Sequence, residues 1–190
     1  MLTKFSGQTV DKFYIPSFIL TKGDIIIIQL PNGPYFRPVE LKLIDMLTGK
    51  QHNDSIEINT PLKYVEHIAE RSFWRRLFPM TVGCHLDKYA NKSNSICKTI
   101  YNTKWITPKT KIQTLAGNSR RQLSLYATLS WTDNIIFDLA GVDPQGGQQI
   151  YNFVKTIVQS GGSAILFDYS DEFKDDCTRF IEVKYLGDDQ

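Results

Sequence analysis

Residues 114–144 read TLAGNSRRQLSLYATLSWTDNIIFDLAGVDP. The stretch opens with a polar, glycine-containing turn at Leu115-Ala116-Gly117-Asn118 and continues as a helix-like run from Arg120 to Leu129. A short apolar strand, Ile135-Ile136-Phe137, then ends on Asp138, and a second turn follows at Gly141-Val142-Asp143-Pro144. A buried strand that delivers an acid at its C-terminal end is where open α/β sheets place ligands.

Outward from this stretch, the chain alternates strand and helix patterns. Upstream, Gly23-Asp24 is a turn into Ile25-Ile26-Ile27-Ile28, a β-branched run of the kind buried on both faces in parallel sheets. Residues 1–29 as a whole read as two β segments. Pro38 suits the first position of a helix, Val39, Leu43, Met46 and Leu47 share one of its faces, and Gly49 ends it. Ser55 to Asn59 alternates like a strand, and Tyr64 to Arg71 reads as a short helix. Downstream, Ile150 to Val158 has helical spacing, Gly161-Gly162 is a break, and Ala164-Ile165-Leu166-Phe167 is a strand. The 190 residues, 42% apolar and 22% charged, suit one domain with a sizeable core. A net charge of +2 gives no general pull toward nucleic acid. Three unpaired-looking cysteines, Cys84, Cys97 and Cys177, point to reduced thiols, and Cys84-His85 lacks metal-ligand spacing, so no metal site is expected. No signal core or membrane-spanning run is expected either.

The order turn, helix, strand, acid, turn, acid resembles the core of the ATP-binding cassette (ABC) ATPases. LAGNS stands for that family's LSGGQ signature, IIFD for its Walker B strand, and GVDP for its D-loop. Other phrases fall in the family's order. Phe18 to Asp24 is similar to "SFTLKKGE", Pro31-Asn32-Gly33 to the start of GPNGAGKST, and Leu77-Phe78-Pro79-Met80-Thr81-Val82 to the Q-loop phrase LFPxLTV. Arg179 to Val183 is similar to the closing strand. The resemblance runs from Phe5 to Val183. It implies an α/β, P-loop NTPase-like ABC ATPase fold with a mixed core sheet, an antiparallel β edge and a shortened helical subdomain at about 83–130, all within one domain, 1–190.

The same resemblance exposes substitutions. A phosphate loop needs backbone N–H groups, a lysine and a hydroxyl. Pro34 and Pro38 have no N–H to give. Counted forward, the lysine position holds Phe36 and the hydroxyl positions hold Arg37 and Pro38; counted back from Gly49, the lysine position holds Glu40. Phe73 sits near the Q-loop glutamine's place, Ala116 replaces the signature serine, Leu139 follows Asp138 where a general-base glutamate is expected, and Ser170 or Tyr169 replaces the switch histidine. These groups act as a unit in phosphoryl transfer.

The resemblance therefore implies a pseudo-ATPase. Its remnant nucleotide-binding residues are Phe5, Asn32, Gly33, Arg37 and Asp138, with Phe5 equally readable as a core residue. Its signature-like loop is Ala116, Gly117 and Asn118, and Asp143 marks the dimer seam. Phe73, Trp74, Arg75, Arg76 and Phe78 fit either a docking surface for a membrane partner or a core aromatic cluster. Tight binding of Mg-ATP or any other cofactor is not expected. The implied partners are an integral membrane transporter subunit and a second ABC ATPase subunit, with no nucleic acid. The implied place is the cytoplasmic or organelle-matrix face of a membrane. The small size and Gly161-Gly162 resemble compact ATPase subunits of haem-export systems. A partner-completed ATPase and a scaffold derived from one are the alternatives.

Overall fold

The computed structural model describes residues 1–33, 36–68 and 79–187. In chain order its elements are β1 (Thr3–Phe5), β2 (Gln8–Val10), β3 (Phe13–Ile15), β4 (Phe18–Leu20), β5 (Ile25–Gln29), α1 (Phe36–Leu47), β6 (Ile56–Ile58) and β7 (Lys63–Tyr64). There follow α2 (Val82–Tyr89), α3 (Gly117–Leu129), β8 (Asn134–Asp138), α4 (Pro144–Gln159), β9 (Ser163–Asp168), β10 (Arg179–Glu182) and β11 (Lys184–Tyr185). Two compact units emerge. The first comprises Met1–Tyr64, Asn134–Asp138 and Val154–Gln190; the second comprises Val65–Asp133 and Leu139–Phe153.

The first unit is built on a five-stranded sheet in the order β10-β5-β9-β8-β7, with every neighbouring pair parallel. The tetra-isoleucine run and Ser163–Asp168 are buried along their length, as strands covered on both faces must be. Antiparallel pairing is carried by two three-stranded sheets, β4-β1-β6 and β11-β3-β2. Parallel and antiparallel pairing are thus divided among three sheets. Val39, Leu43 and Leu47, one per turn of α1, join Ile28, Ile136, Ile165 and Phe167 in one buried cluster with Phe5 and Phe18. Register aligns the C-terminal ends of the central strands: Gln29 lies opposite Asp168, and Asp138 opposite Phe167.

Three local expectations change. Helix α1 begins at Phe36, two residues before Pro38. Pro38 is tolerated because first-turn N–H groups have no intrahelical acceptor. Gly49, with φ of +77°, does close the helix, its N–H bonding the Met46 carbonyl at 3.1 Å. Tyr64 is in a strand, since pairing with β8 outweighs a helical pattern, and residues 65–68 form no regular element; the rest of the expected helix, to Arg71, lies outside the described residues. Residues 1–29 hold five strands instead of two segments, four of them only three residues long.

The regular elements described in the second unit are helical: α2, α3, the start of α4, and the 3₁₀ segments Ser95–Asn102 and Ile112–Thr114. Side chains cap α2 and the first 3₁₀ segment, Thr81 accepting from the Cys84 N–H and Asn94 from the Ile96 N–H. Val82, Leu86, Ile100, Ile106, Leu123 and Tyr126 form its core, with Phe153 packed edge-on against Tyr126 at 5.1 Å.

Candidate functional site

Two clusters of polar side chains gather at positions singled out by the sequence, one in each unit. In the first unit, the C-terminal end of β8 brings Asp138 to the first turns of α1. Tyr64, at the end of β7, donates its hydroxyl to Asp138 Oδ2 at 2.6 Å. Arg37 donates from Nη1 to Glu40 Oε2 at 2.7 Å, and the same nitrogen lies 3.5 Å from Asp138 Oδ2. Arg37 Nη2 reaches the Tyr64 hydroxyl at 3.4 Å. Glu40 and Asp138 are buried, at 1% and 3% exposure, whereas the Arg37 side chain is 44% exposed. Burial opposes the Arg37 charge, but its bonds to Tyr64 and Glu40 prevail and hold its pKa above the usual value. Glu40 goes the other way: burial first, then the nearby Asp138 charge, push its pKa up to about 7 against the pull of Arg37.

Beside this cluster, Asp168 at the end of β9 closes its own turn. It accepts the Tyr169 N–H at 2.7 Å and the Ser170 hydroxyl at 2.9 Å. Phe36 meets Tyr169 edge to face, ring centroids 6.3 Å apart.

In the second unit, Asn118 and Asp143 clasp each other. The Asn118 amide donates to Asp143 Oδ2 at 2.8 Å, and the Asp143 N–H donates back to Asn118 Oδ1 at 3.1 Å. Asp143 also accepts the Gly146 N–H at 2.7 Å, which makes it the cap of α4, with Pro144 as the first helical residue. The Gly146 N–H and then the Asn118 amide hold the Asp143 carboxyl below its ordinary pKa. Gly117 and Gly146 admit this approach: a Cβ would lie 2.1 Å from the Gly141 carbonyl oxygen in one case and 2.3 Å from Asn118 in the other. A cavity of about 180 Å³ opens next to the clasp, lined by Gly117, Arg120, Arg121, Ser124, Gly141 and His67 among others.

No protein-family model and no curated protein matches the chain. Solved structures do. An ABC transporter described as of metal-chelate type, in an inward-facing conformation, superposes with a TM-score of 0.74 at 14% identity, over 97% of this chain and 80% of that one. A nucleotide-free ATP-binding cassette from an ABC transporter gives a TM-score of 0.68 at 16% identity, over 97% and 88%. CbiO1 from Clostridium perfringens, part of the ABC transporter complex CbiONQ, gives 0.65 at 13%, over 97% and 85%. The chain has the ABC ATPase fold.

Within that fold, the segment after β5 leads from Leu30 toward α1, which starts at Phe36. Phe36 packs against Tyr169, which follows Asp168 at the end of β9. Asn32 and Gly33 are exposed in the loop before α1. Phe5 is corrected: it is 1% exposed and stacked on Phe18 at 5.0 Å, so it offers no face to a base, because the apolar side of β1 turns into the core. Ala116 gives α3 no side-chain cap. Phe73, Trp74, Arg75, Arg76 and Phe78 lie outside the described residues, as does Pro34. Among the described residues no three His, Cys, Asp or Glu side chains form a potential metal cluster, and no helix is long and apolar enough to cross a membrane.

Two residues of the first cluster escaped the sequence-based site. Glu40 was visible only as one alternative for a lysine position. Its real signal is a carboxylate on the apolar stripe of α1, one helical turn before Leu43 and Ile44. Tyr64 left no signal, because its partner Asp138 is 74 residues away.

Proposed function

We propose that this chain is a non-catalytic, ABC-type nucleotide-binding-domain subunit whose two units together make one cassette, residues 1–190. It docks on an integral membrane transporter subunit through Phe73, Trp74, Arg75, Arg76 and Phe78. It pairs through the Asp143 loop with a second ABC ATPase subunit, of the same or another chain. It works at the cytoplasmic or organelle-matrix face of a membrane, in a compact system of the haem-export kind.

The observation that carries this reading is the commitment of Arg37. It stands in the first turn of α1, soon after Asn32-Gly33, and two buried carboxylates already engage it. A phosphate arriving there would have to compete with charge-assisted bonds made inside the protein. By the resemblance, Phe36 stands where the lysine is expected, Leu139 where the base is, and Ser170 or Tyr169 where the switch is. Interfaces favour aromatics and arginine, which supports docking through Phe73–Phe78.

Calorimetry of the purified chain with ATP, with and without magnesium, tests the reading. No binding up to millimolar ATP is expected. Micromolar, magnesium-dependent binding would overturn it in favour of a partner-completed ATPase.

A further inference from the structure

The Arg37 cluster has a charge imbalance that geometry alone reveals. Two carboxylates, Glu40 and Asp138, are buried against one guanidinium. One Glu40 oxygen takes the Arg37 bond; the other, Oε1, is buried without a donor. Asp138 Oδ2 already holds the Tyr64 hydroxyl. Among the described residues one guanidinium faces these two buried carboxylates, and an ionised Glu40 with Oε1 lacking a donor is costly to bury. Among the described residues, the titratable groups facing Glu40 are Arg37 on its own helix, Asp138 on β8 and, beyond Arg37, Tyr64 on β7.

We infer that Glu40 and Asp138 share a single proton, carried on Glu40 Oε1, which fastens the first turns of α1 to the end of β8 and is released as the solution turns alkaline. The proton neutralises the cluster, gives Oε1 a hydrogen to donate toward Asp138, and leaves Arg37 balanced against one carboxylate. Its loss leaves two like charges side by side, which loosens the helix start directly after the Asn32-Gly33 loop. The elevated pKa of Glu40, about 7 against an ordinary 4.5, agrees with this placement. The pair titrates as a unit, so the value belongs to the cluster. The inference does not depend on nucleotide binding or on any partner.

The sign follows from linkage. Between about pH 4.5 and 7 the folded chain keeps a proton that the unfolded chain has released. Stability from this cluster is therefore complete below that window and lost as pH rises through it.

The test is denaturant unfolding of the full chain from pH 5 to 8.5, wild type beside Glu40→Gln. Glutamine keeps the shape and donates without titrating. The wild-type unfolding constant should rise, relative to Glu40→Gln, by up to about tenfold per pH unit between roughly pH 5 and 7, the signature of one proton. Equal pH slopes in the two proteins overturn the inference. Infrared spectra of the wild-type chain and of Asp138→Asn keep the question decidable if Glu40→Gln does not fold. A protonated-carboxyl C=O band at pH 6 that disappears by pH 8 in wild type, and disappears at lower pH in Asp138→Asn, supports a shared proton, whereas a shift to higher pH refutes it. Full ionisation of every carboxyl at pH 6, or an unchanged titration in Asp138→Asn, refutes it.

Discussion

The Tyr64 hydroxyl gives its hydrogen to a carboxylate that is almost wholly buried. Bonds of this kind to a charged acceptor contribute about 1.5–3 kcal/mol, and removing the donor leaves the acceptor short of a partner. Tyr64→Phe keeps the ring and should lower stability by about that amount in urea unfolding, whereas a change below about 0.5 kcal/mol would mean that the other partners of Asp138 satisfy it. The Asn118–Asp143 clasp makes a different prediction, because Asp143 is exposed and its bonds show in titration more than in stability. Asn118→Gly removes the second of the three donors that lower the Asp143 pKa, after the Gly146 N–H and ahead of the Gln145 N–H. Its carboxyl should titrate at higher pH in the variant, followed by NMR. A depressed carboxyl stabilises the folded state above its unfolded pKa, and that contribution fades as pH falls through the folded one. The wild type should therefore lose more stability than Asn118→Gly between pH 4 and the acid limit of the Asp143 titration.

At the scale of elements, burial separates strands that look alike in composition. Ile27 on β5 is 1% exposed with strands on both sides, whereas Ile19 on β4 is 47% exposed on a three-stranded sheet. Ile27→Ala should cost about 2–5 kcal/mol and Ile19→Ala no more than about 0.5 kcal/mol by thermal or urea unfolding. The same contrast explains what could be read in advance. The runs at Ile25–Ile28, Ile135–Phe137 and Ala164–Phe167 were legible because a strand covered on both faces needs continuous apolar residues. The helix at Gly117–Leu129 was legible as the run from Arg120 to Leu129, its first turn having been read as part of the preceding loop. The three-residue strands β1 to β4 were not resolved, since three residues carry too little alternation to define a period, and β7 exists only through its pairing with β8. At the site, Asp138 was legible as an acid ending a buried strand. Its engagement by Tyr64 and Arg37 was not, because it depends on the register of β7 and α1 over a strand far away in sequence. Phe5 shows the converse, an aromatic in the expected place whose ring direction only packing decides.

For the whole molecule, the chain order and the spatial order of the parallel sheet disagree in a way that constrains folding. β5 is made at residues 25–29, yet its two neighbours are β9 and β10, at 163–168 and 179–182. Its flanking groups wait for the same late segments: the Asp24 carbonyl accepts the Ala164 N–H, the Ile25 carbonyl accepts the Thr178 N–H, and the Leu30 N–H donates to the Asp168 carbonyl. Four isoleucines in a row with neither neighbour present would expose both apolar faces and unpaired backbone groups. A chain ending at residue 162 should therefore leave β5 unprotected, although every residue of that strand and of α1 remains. Hydrogen exchange measures this directly. In the full chain the amides of Ile26, Ile27 and Ile28 should be among the slowest to exchange; in the shortened chain they should exchange at rates close to those of an unstructured peptide. The amides of β1, which pair only with β4 and β6, are the internal control, because their partners all lie before residue 60. Protection kept in β1 but lost in β5 would show that the antiparallel sheet forms independently of the late strands. Protection kept in both would mean that α1 alone suffices to hold β5, against the pairing pattern. Closing loops of more than a hundred residues also makes assembly slow, so the full chain's refolding should be limited by the docking of β9 beside β5.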